Sequence, residues 1–92
     1  MITIELPKSL GLTVDGKSTV EIDEPCATVG SALAALGEES PGVLDRIIDE
    51  PGNVRAHVNV FSDGENIRFL DGLNTSVSDN SAILIIGAIS GG

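Results

Sequence analysis

The feature of this sequence that most constrains its fold is an apolar run near its end, AILIIGAI at residues 82–89. The run is short enough to be a strand, and its content of isoleucine favours a central strand over one at the edge of a sheet. We therefore predict that the chain folds around a sheet with this segment in the middle.

Two earlier segments show the alternation of apolar and polar residues that is typical of strands with one buried face. The first covers residues 2–6 and is closed by Pro7, and the second covers residues 19–23. Asp15-Gly16 between them is a favourable turn sequence, so the two strands are predicted to form a hairpin.

Helical spacing of apolar residues follows the predicted hairpin. The segment TVGSALAALGEES begins with Thr28, a favourable N-cap residue, and Gly37 is predicted to end this helix. A second helical segment is predicted from Gly42, with Pro51-Gly52 breaking it.

Apolar and polar residues alternate again in the segment NVRAHVNVFSDGENIRFLDG. This pattern predicts two strands joined by a turn at Asp63-Gly64. One face of the first strand is predicted to carry Val54, Ala56, Val58 and Val60, and the opposite face Arg55, His57, Asn59 and Phe61. In the second strand, Ile67 and Phe69 are expected on one side, and Arg68 and Leu70 on the other. The segment LNTSVSDN is predicted to be a polar connection pinned by Leu73 and Val77.

This order of elements indicates an α+β domain, with a mixed sheet of about five strands curled over one main helix. The 92 residues are enough for one domain, and 41% of them are hydrophobic, which is typical of a folded chain. We expect the folded domain to cover residues 1–87 and a flexible tail to cover residues 88–92.

The composition excludes several kinds of partner. With two Phe, no Trp and no Tyr, the chain lacks the aromatic side chains on which single-stranded nucleic acids stack, and its net charge of −9 repels phosphate backbones and anionic membranes. The negative charge favours a basic protein partner; the alternative is an acidic surface that only maintains solubility or reflects a salt-adapted host. We see no signal peptide and no membrane span, so a cytoplasmic protein is expected.

The residues that usually carry catalysis are sparse. His57 is the only histidine, and no acidic or nucleophilic neighbour is fixed beside it, which favours a surface or partner contact over a catalytic base. Cys26 is the only cysteine and is predicted to be a small buried residue. Metal-ligand spacing and phosphate-loop glycine patterns are absent from the sequence. We therefore predict no catalytic residues, no metal and no bound cofactor.

The sequence ends on Gly91 and Gly92, which cannot pack a core and lose the most conformational freedom when they are ordered. Without Cβ atoms, however, they can thread a narrow channel, and residues 88–92 reach roughly 17 Å at about 3.3–3.6 Å per residue. The Gly92 carboxylate is a nucleophile toward a nucleotide phosphate, and adenylation would make it an acyl donor. The tail is therefore predicted to deliver Gly92 into the site of another protein.

From His57 to Gly92 the sequence resembles the C-terminal half of the MoaD/ThiS family of sulfur carriers. The resemblance is carried by Val58-Asn59, by IRF followed by Gly72-Leu73, and by Thr75, Asp79 and Gly91-Gly92. Within the family it most resembles the carriers of bacterial cysteine biosynthesis, which show a similar VN, VRF, GL and AGG progression. Two positions depart from the pattern: Asp79-Asn80 replaces an Asp-Gly turn, and Gly87 replaces a frequent proline, which predicts a more flexible exit from the sheet.

The resemblance implies a ubiquitin-like β-grasp fold with the first and last strands as parallel central neighbours. It implies that a ubiquitin-activating-type adenylating enzyme uses ATP to activate Gly92, that sulfur then displaces AMP to leave a thiocarboxylate, and that Gly91 gives access to the channel. The carrier itself catalyses nothing. Its expected partners are that enzyme, a downstream sulfur-accepting synthase and a thiocarboxylate-releasing peptidase, and it is expected to be a monomer when alone.

The predicted docking surface combines exposed apolar side chains with charges, as interfaces do. Its members are Arg55, His57, Phe61, Arg68 and Leu70, together with one side of the last strand. The alternative for Phe61 and Leu70 is packing over a sheet edge. The alternatives for the whole chain are the small subunit of molybdopterin synthase, a thiamine-pathway carrier, a ubiquitin-like modifier joined to lysines, and an interaction module with an idle tail.

Overall fold

The structure is a computed structural model that describes residues 1–87. The predicted tail, residues 88–92, lies outside the described residues. Within residues 1–87, five strands form one sheet; their bounds are Ile2–Glu5 for β1, Thr19–Ile22 for β2, Val58–Ser62 for β3, Glu65–Asn66 for β4 and Ala82–Gly87 for β5. The order of the strands across the sheet is β2-β1-β5-β3-β4.

Residues 82–87 of the apolar run form β5, which is the middle strand, as predicted. β5 pairs in parallel with β1 and in antiparallel orientation with β3, where Val58 lies opposite Gly87. β1 also pairs with β2 in the predicted hairpin. Asp15 and Gly16 between them have φ angles of 52° and 78°, the left-handed conformation that a two-residue hairpin turn requires.

The residues of β5 alternate between two environments. Ile83 and Ile85 are each 1% exposed, whereas Leu84 is 37% and Ile86 is 41% exposed. Burial on one face requires apolar residues on that face only. The apolar residues of the other face therefore do not serve the core.

In the described part of the chain, two helices cover the buried face of the sheet: α1 at Val29–Glu39 and α2 at Pro41–Ile47. Thr28 caps α1 as predicted. Its Oγ1 accepts a hydrogen bond from the backbone N–H of Ser31 at 3.1 Å, and the Ser31 hydroxyl oxygen accepts one from the Thr28 N–H at 3.0 Å. This reciprocal pair satisfies two N–H groups that a helix start otherwise leaves unpaired.

The core lies between the sheet and the helices. The helices contribute Val29, Ala32, Leu33, Ala35, Leu36, Val43 and Ile47, and Leu73 and Val77 of the polar connection pack against its edge as predicted. The predicted α+β architecture, a mixed sheet of five strands over one main helix, is confirmed. Within residues 1–87, neither helix has the length and apolarity that a membrane span requires.

Gly37 does not end α1, contrary to the prediction. The helix continues to Glu39 and is capped at Ser40. Gly37 faces α2, where an added Cβ would clash with Cδ2 of Leu44. The glycine therefore permits close approach of the two helices.

The strand predicted from residue 54 begins only at Val58. The Arg55 N–H donates to the carbonyl oxygen of Ile47 at 2.9 Å, and the Val58 N–H donates to the carbonyl oxygen of Arg55 at 2.9 Å. The first bond ties the segment to the end of α2 and the second closes a turn, so Ala56 and His57 are exposed instead of alternating between two strand faces. From Val58 onward the predicted alternation is present.

The prediction of a strand over residues 67–70 is also wrong. After the short β4 the chain forms a 3-10 turn at Ile67–Phe69. Oδ1 of Asn66 accepts a hydrogen bond from the backbone N–H of Arg68 at 3.0 Å, and such a local bond competes with strand pairing. As a result Ile67 is 2% and Phe69 is 84% exposed, so they do not share a face.

We predict that alanine has opposite effects at Gly37 and Gly42. Nothing lies within 4 Å of a Cβ added at Gly42, so Gly42→Ala should raise the free energy of unfolding by about 0.5–1 kcal/mol through better helix propensity. Gly37→Ala places a methyl group against Leu44 and should lower it by about 1–2 kcal/mol. Urea denaturation measures both changes. Equal stabilisation by the two substitutions would contradict the packing role of Gly37.

Candidate docking surface

Three strands meet at the end of the sheet where β5 reaches Gly87, which we name the exit end. β1 runs parallel to β5 and finishes at this end, while β3 runs antiparallel and begins there. Residues 88–92 follow Gly87 in the sequence. The side chains around the exit end are therefore the part of the folded domain that a protein binding the tail would meet first.

Arg68, a member of the predicted docking surface, lies at the exit end. Its guanidinium donates hydrogen bonds to Asn59 Oδ1 at 3.2 Å, to the carbonyl oxygen of Val58 at 3.0 Å and to that of Ala56 at 3.5 Å. All three acceptors are uncharged, so these contacts orient the cation without neutralising it. The result is a fixed positive charge beside the start of β3, one strand away from Gly87.

His57 and Arg55 come from the turn that precedes β3. His57 is exposed and directly precedes Val58, so it also lies at the exit end. Arg55 is directed toward α2 instead, where its Nε donates to the carbonyl oxygen of Asp45 at 2.8 Å. The structure thus brings His57 and Arg68 together at the exit end, with Arg55 on the helical side.

Phe61 belongs to a second surface, the outer face of the sheet. It is half-buried on β3 and lies opposite Leu84 of β5. Together with Ile86 these residues border an open pocket of about 480 Å³ on that face. We name Phe61, Leu84 and Ile86 the outer-face patch. Contiguous exposed apolar groups of this kind are typical of interaction sites.

Leu70 and Phe69 form a third exposed apolar feature, at the edge of the sheet. Leu70 is 42% exposed, and Phe69 at 84% is the most exposed large hydrophobic residue in the described part of the chain. The alternating pattern predicts Phe69 on the same side as the buried Ile67, so sequence reasoning misses its exposure. The available signal is Asn66, because an asparagine that bonds the backbone two residues on favours a turn.

Gly87 has a packing explanation. A Cβ added there would lie 2.9 Å from Cγ of Leu10 and 3.1 Å from its Cδ1. Leu10 belongs to a 3-10 turn, Lys8–Leu10, that follows β1. A larger residue, including the proline frequent in the family, would have to displace Leu10. The predicted flexibility beyond Gly87 concerns residues outside the described range and stays a prediction.

The remaining side chains that could act as nucleophiles or metal ligands do not form a common site in the described part of the chain. Cys26 is half-buried, and its Sγ lies 3.5 Å from the carbonyl oxygen of Glu24. Among residues 1–87, no three His, Cys, Asp or Glu side chains gather in a way that would hold a metal ion.

Asp63 has a structural role: its Oδ1 accepts from the Ala82 N–H at 2.9 Å and its Oδ2 from the Ser81 hydroxyl at 3.1 Å. This carboxylate fixes the start of β5.

Solved structures of similar fold define the class of protein. A chain of the Amycolatopsis orientalis BexX/CysO complex superimposes with a TM-score of 0.86 at 27% identity, covering 100% of both chains. The fold is the ubiquitin-like β-grasp, with β1 and β5 as the parallel central pair that the resemblance implies.

Sequence comparison narrows the class to a family. A sequence model of the ThiS family matches residues 12–92. The sulfur carrier protein CysO of Mycobacterium tuberculosis is 28% identical over 93 residues, covering 99% of this chain and 98% of that protein. Small archaeal modifier protein 3 of Haloferax volcanii is 38% identical over 66 residues, covering 72% of this chain and 71% of that protein. The chain therefore belongs to the ThiS family.

We predict different stability effects for neighbouring substitutions at the exposed edge. Arg68→Ala removes hydrogen bonds from a charged donor and should lower the free energy of unfolding by about 1–3 kcal/mol. Phe69→Ala should change it by less than about 0.5 kcal/mol, because the ring is largely exposed. Chemical denaturation compares the two. A large loss for Phe69→Ala would mean that its ring packs on the domain and is not available for contact.

Proposed function

We propose that this chain is a sulfur carrier whose Gly92 carboxyl group is converted to a thiocarboxylate, with cysteine synthesis as the receiving process. The observation that carries the proposal is the family match, which extends through Gly92. Its support is that the relatives sharing nearly the full length of the chain include proteins named sulfur carriers. Under this proposal the chain is a protein cosubstrate, and a separate ATP-dependent enzyme activates it.

The proposed chemistry has two steps. A carboxylate oxygen of Gly92 attacks the α-phosphate of ATP, which forms an acyl adenylate and releases pyrophosphate. A hydrosulfide-level sulfur, supplied by a separate donor, then attacks the carbonyl carbon and displaces AMP, so that a C–S bond replaces the C–O bond to phosphate. Gly91 contributes access, because a residue without Cβ fits a narrow channel. The chain needs no catalytic side chain for either step.

The outer-face patch is the proposed docking surface for the activating enzyme. Ordering the five residues from 88 to 92 costs on the order of 1–2 kcal/mol per residue, which contacts of the folded domain have to offset. Burial of a large apolar side chain contributes up to about 1.5–3 kcal/mol. Because Leu84 and Ile86 belong to β5, an enzyme bound there is aligned with the strand that leads to the tail.

The further partners in this proposal are a synthase that accepts the sulfur and a peptidase that releases the carrier after transfer. The Amycolatopsis CysO structure is of a complex with BexX, and this supports a protein partner for a carrier with this fold. The sequence resemblance to the carriers of bacterial cysteine biosynthesis favours a cysteine-forming synthase as acceptor. A carrier for molybdopterin or thiamine synthesis would use the same two steps with a different acceptor.

A second candidate function is a ubiquitin-like modifier, in which Gly92 is joined to lysine side chains of other proteins. It is favoured by the small archaeal modifier proteins of Haloferax volcanii among the relatives, one of them at 38% identity. Both functions begin with the same acyl adenylate. They differ in whether sulfur or a lysine amine finally occupies the carbonyl of Gly92.

Intact-mass spectrometry of the chain from its native cells tests the proposal. A carrier shows replacement of one oxygen by sulfur, and fragmentation places the change at Gly92. Conjugates in which Gly92 is linked to lysine favour the modifier. A free carboxylate that ATP, a sulfur donor and the activating enzyme leave unchanged would contradict both and favour an interaction module with an idle tail.

We predict that deleting Gly91 and Gly92 abolishes loading without unfolding the domain. The described core lies within residues 1–87 and needs neither glycine. Thermal melting should therefore shift by less than about 2–4 °C, while ATP-dependent release of AMP is lost. A drop of many degrees would mean that the two glycines are structural and would count against the proposal.

We predict that Phe61→Ala weakens binding of the activating enzyme more than it weakens folding. The loss of an interface anchor should raise the dissociation constant about tenfold or more. Glu38→Ala, at an exposed position near the end of α1, is the matched control and should leave binding unchanged. Calorimetric titration and melting curves give the two readouts. A large stability loss at unchanged affinity would assign Phe61 to packing.

A further inference from the structure

We propose that the enzyme channel receiving the tail has an acidic rim, and that Lys8 and Arg68 bind carboxylate groups on that rim. This inference rests on the proposed function and specifies the charge of the partner where the tail enters it. The net charge of −9 by itself favours a basic partner. At the exit end, however, the distribution of charges along the strands favours an acidic partner surface.

The two ends of the sheet differ in charge. The turns at the end away from Gly87 carry carboxylates, namely Asp23 and Glu24 after β2, Asp63 after β3, and Asp79 before β5. The cation described there is the ammonium group of Met1, which donates to the carbonyl oxygen of Asp79. The segments that reach the exit end carry Lys8 after β1, Lys17 before β2 and Arg68 after β4, together with the carboxylates of Glu5 at the end of β1 and Asp15 in the turn before β2. In a chain with 14 acidic and 5 basic residues, this places cations where the tail begins.

Arg68 flanks β5 on the side of β3. Its guanidinium is already oriented by the carbonyl oxygens of Val58 and Ala56, and Val58 is the residue paired with Gly87. Because these acceptors are uncharged, a carboxylate from outside would be a stronger partner for the same cation. A side chain fixed in advance also loses less conformational entropy when it binds.

Lys8 flanks β5 on the side of β1. It is exposed and lines a pocket of about 340 Å³ together with Leu84 and Ile86. Leu10, in the same 3-10 turn, packs against Gly87, which fixes this turn beside the end of β5. Glu5 lines the same pocket, and Lys8 is the cationic side chain among its lining residues.

Lys8 and Arg68 lie on opposite sides of β5, so a partner surface that surrounds the end of β5 faces both cations. A protein that takes up residues 88–92 must bring the rim of its channel against both flanks. Basic groups on the rim would be repelled by Lys8 and Arg68, whereas carboxylates would pair with them. The acidic far end of the sheet is then directed away from an acidic rim, which orients the encounter so that the tail arrives first.

Charge reversal with a matched control tests the inference. Full-length chain is titrated against the adenylating enzyme of the same organism at low and at high salt. Lys8→Glu should weaken binding about tenfold or more at low salt. Arg46→Glu, the same charge change at an exposed site on α2, should alter it by less than about twofold. Arg68→Gln should also weaken binding, with melting curves separating affinity from stability. Wild-type affinity should fall with added salt, which screens exposed charges.

Several outcomes would overturn the inference. These are equal effects of Lys8→Glu and Arg46→Glu, tighter binding of Lys8→Glu, or self-association of the chain at low salt that Lys8→Glu abolishes while enzyme binding is unchanged. The sulfur content of Gly92 is measured separately by mass. Binding that depends on Lys8 without sulfur loading would keep the charge inference and contradict the proposed function. Sulfur loading that does not depend on Lys8 would support the proposed function and contradict the charge inference. No binding of the enzyme at all would contradict the charge inference and the proposed function.

Discussion

The pairing of β5 with both β1 and β3 is the interaction on which the rest of the structure depends. It joins the N-terminal hairpin to the β3–β4 hairpin, and the parallel register with β1 directs both strands toward the same end of the sheet. Because successive residues of a strand point to opposite faces, β5 places Ile83 and Ile85 in the core and Leu84 and Ile86 outside it. One strand therefore contributes to folding stability and to the outer-face patch, and residues 88–92 follow from it.

The strands with strict alternation and the capped helix are predictable from the sequence because local rules and burial agree there. The errors come where a local hydrogen bond or a close packing contact has the larger effect. Asn66 diverts the chain into a turn that exposes Phe69, and Gly37 serves the approach of Leu44 instead of ending a helix. For the candidate surface, the outward direction of Phe61 follows from strand alternation. The contacts of Arg68 and the position of Lys8 depend on strand order, which no single segment encodes.

The outer-face patch and the charges around the exit end meet two physical requirements of the proposed sulfur-carrier function. In that proposal, apolar groups on the outer face provide binding free energy, and charges around the exit end provide orientation and selectivity. Because carboxylates are more concentrated at the far end of the sheet, the net charge describes the surface as a whole better than it describes the exit end. Family membership defines the fold and the carrier class, and the proposed thiocarboxylate chemistry requires that these surfaces lead a partner to Gly92.

The central claim is that one face of β5 stabilises the fold while the other face binds a partner. Methyl NMR tests this claim most directly. Isoleucine and leucine methyl groups of the chain are labelled and observed while the activating enzyme is added. The account predicts that the signals of Ile86 and Leu84 shift or broaden, while those of Ile83 and Ile85 change little. Perturbation confined to methyl groups of α1 and α2, with Ile86 and Leu84 unaffected, would contradict it.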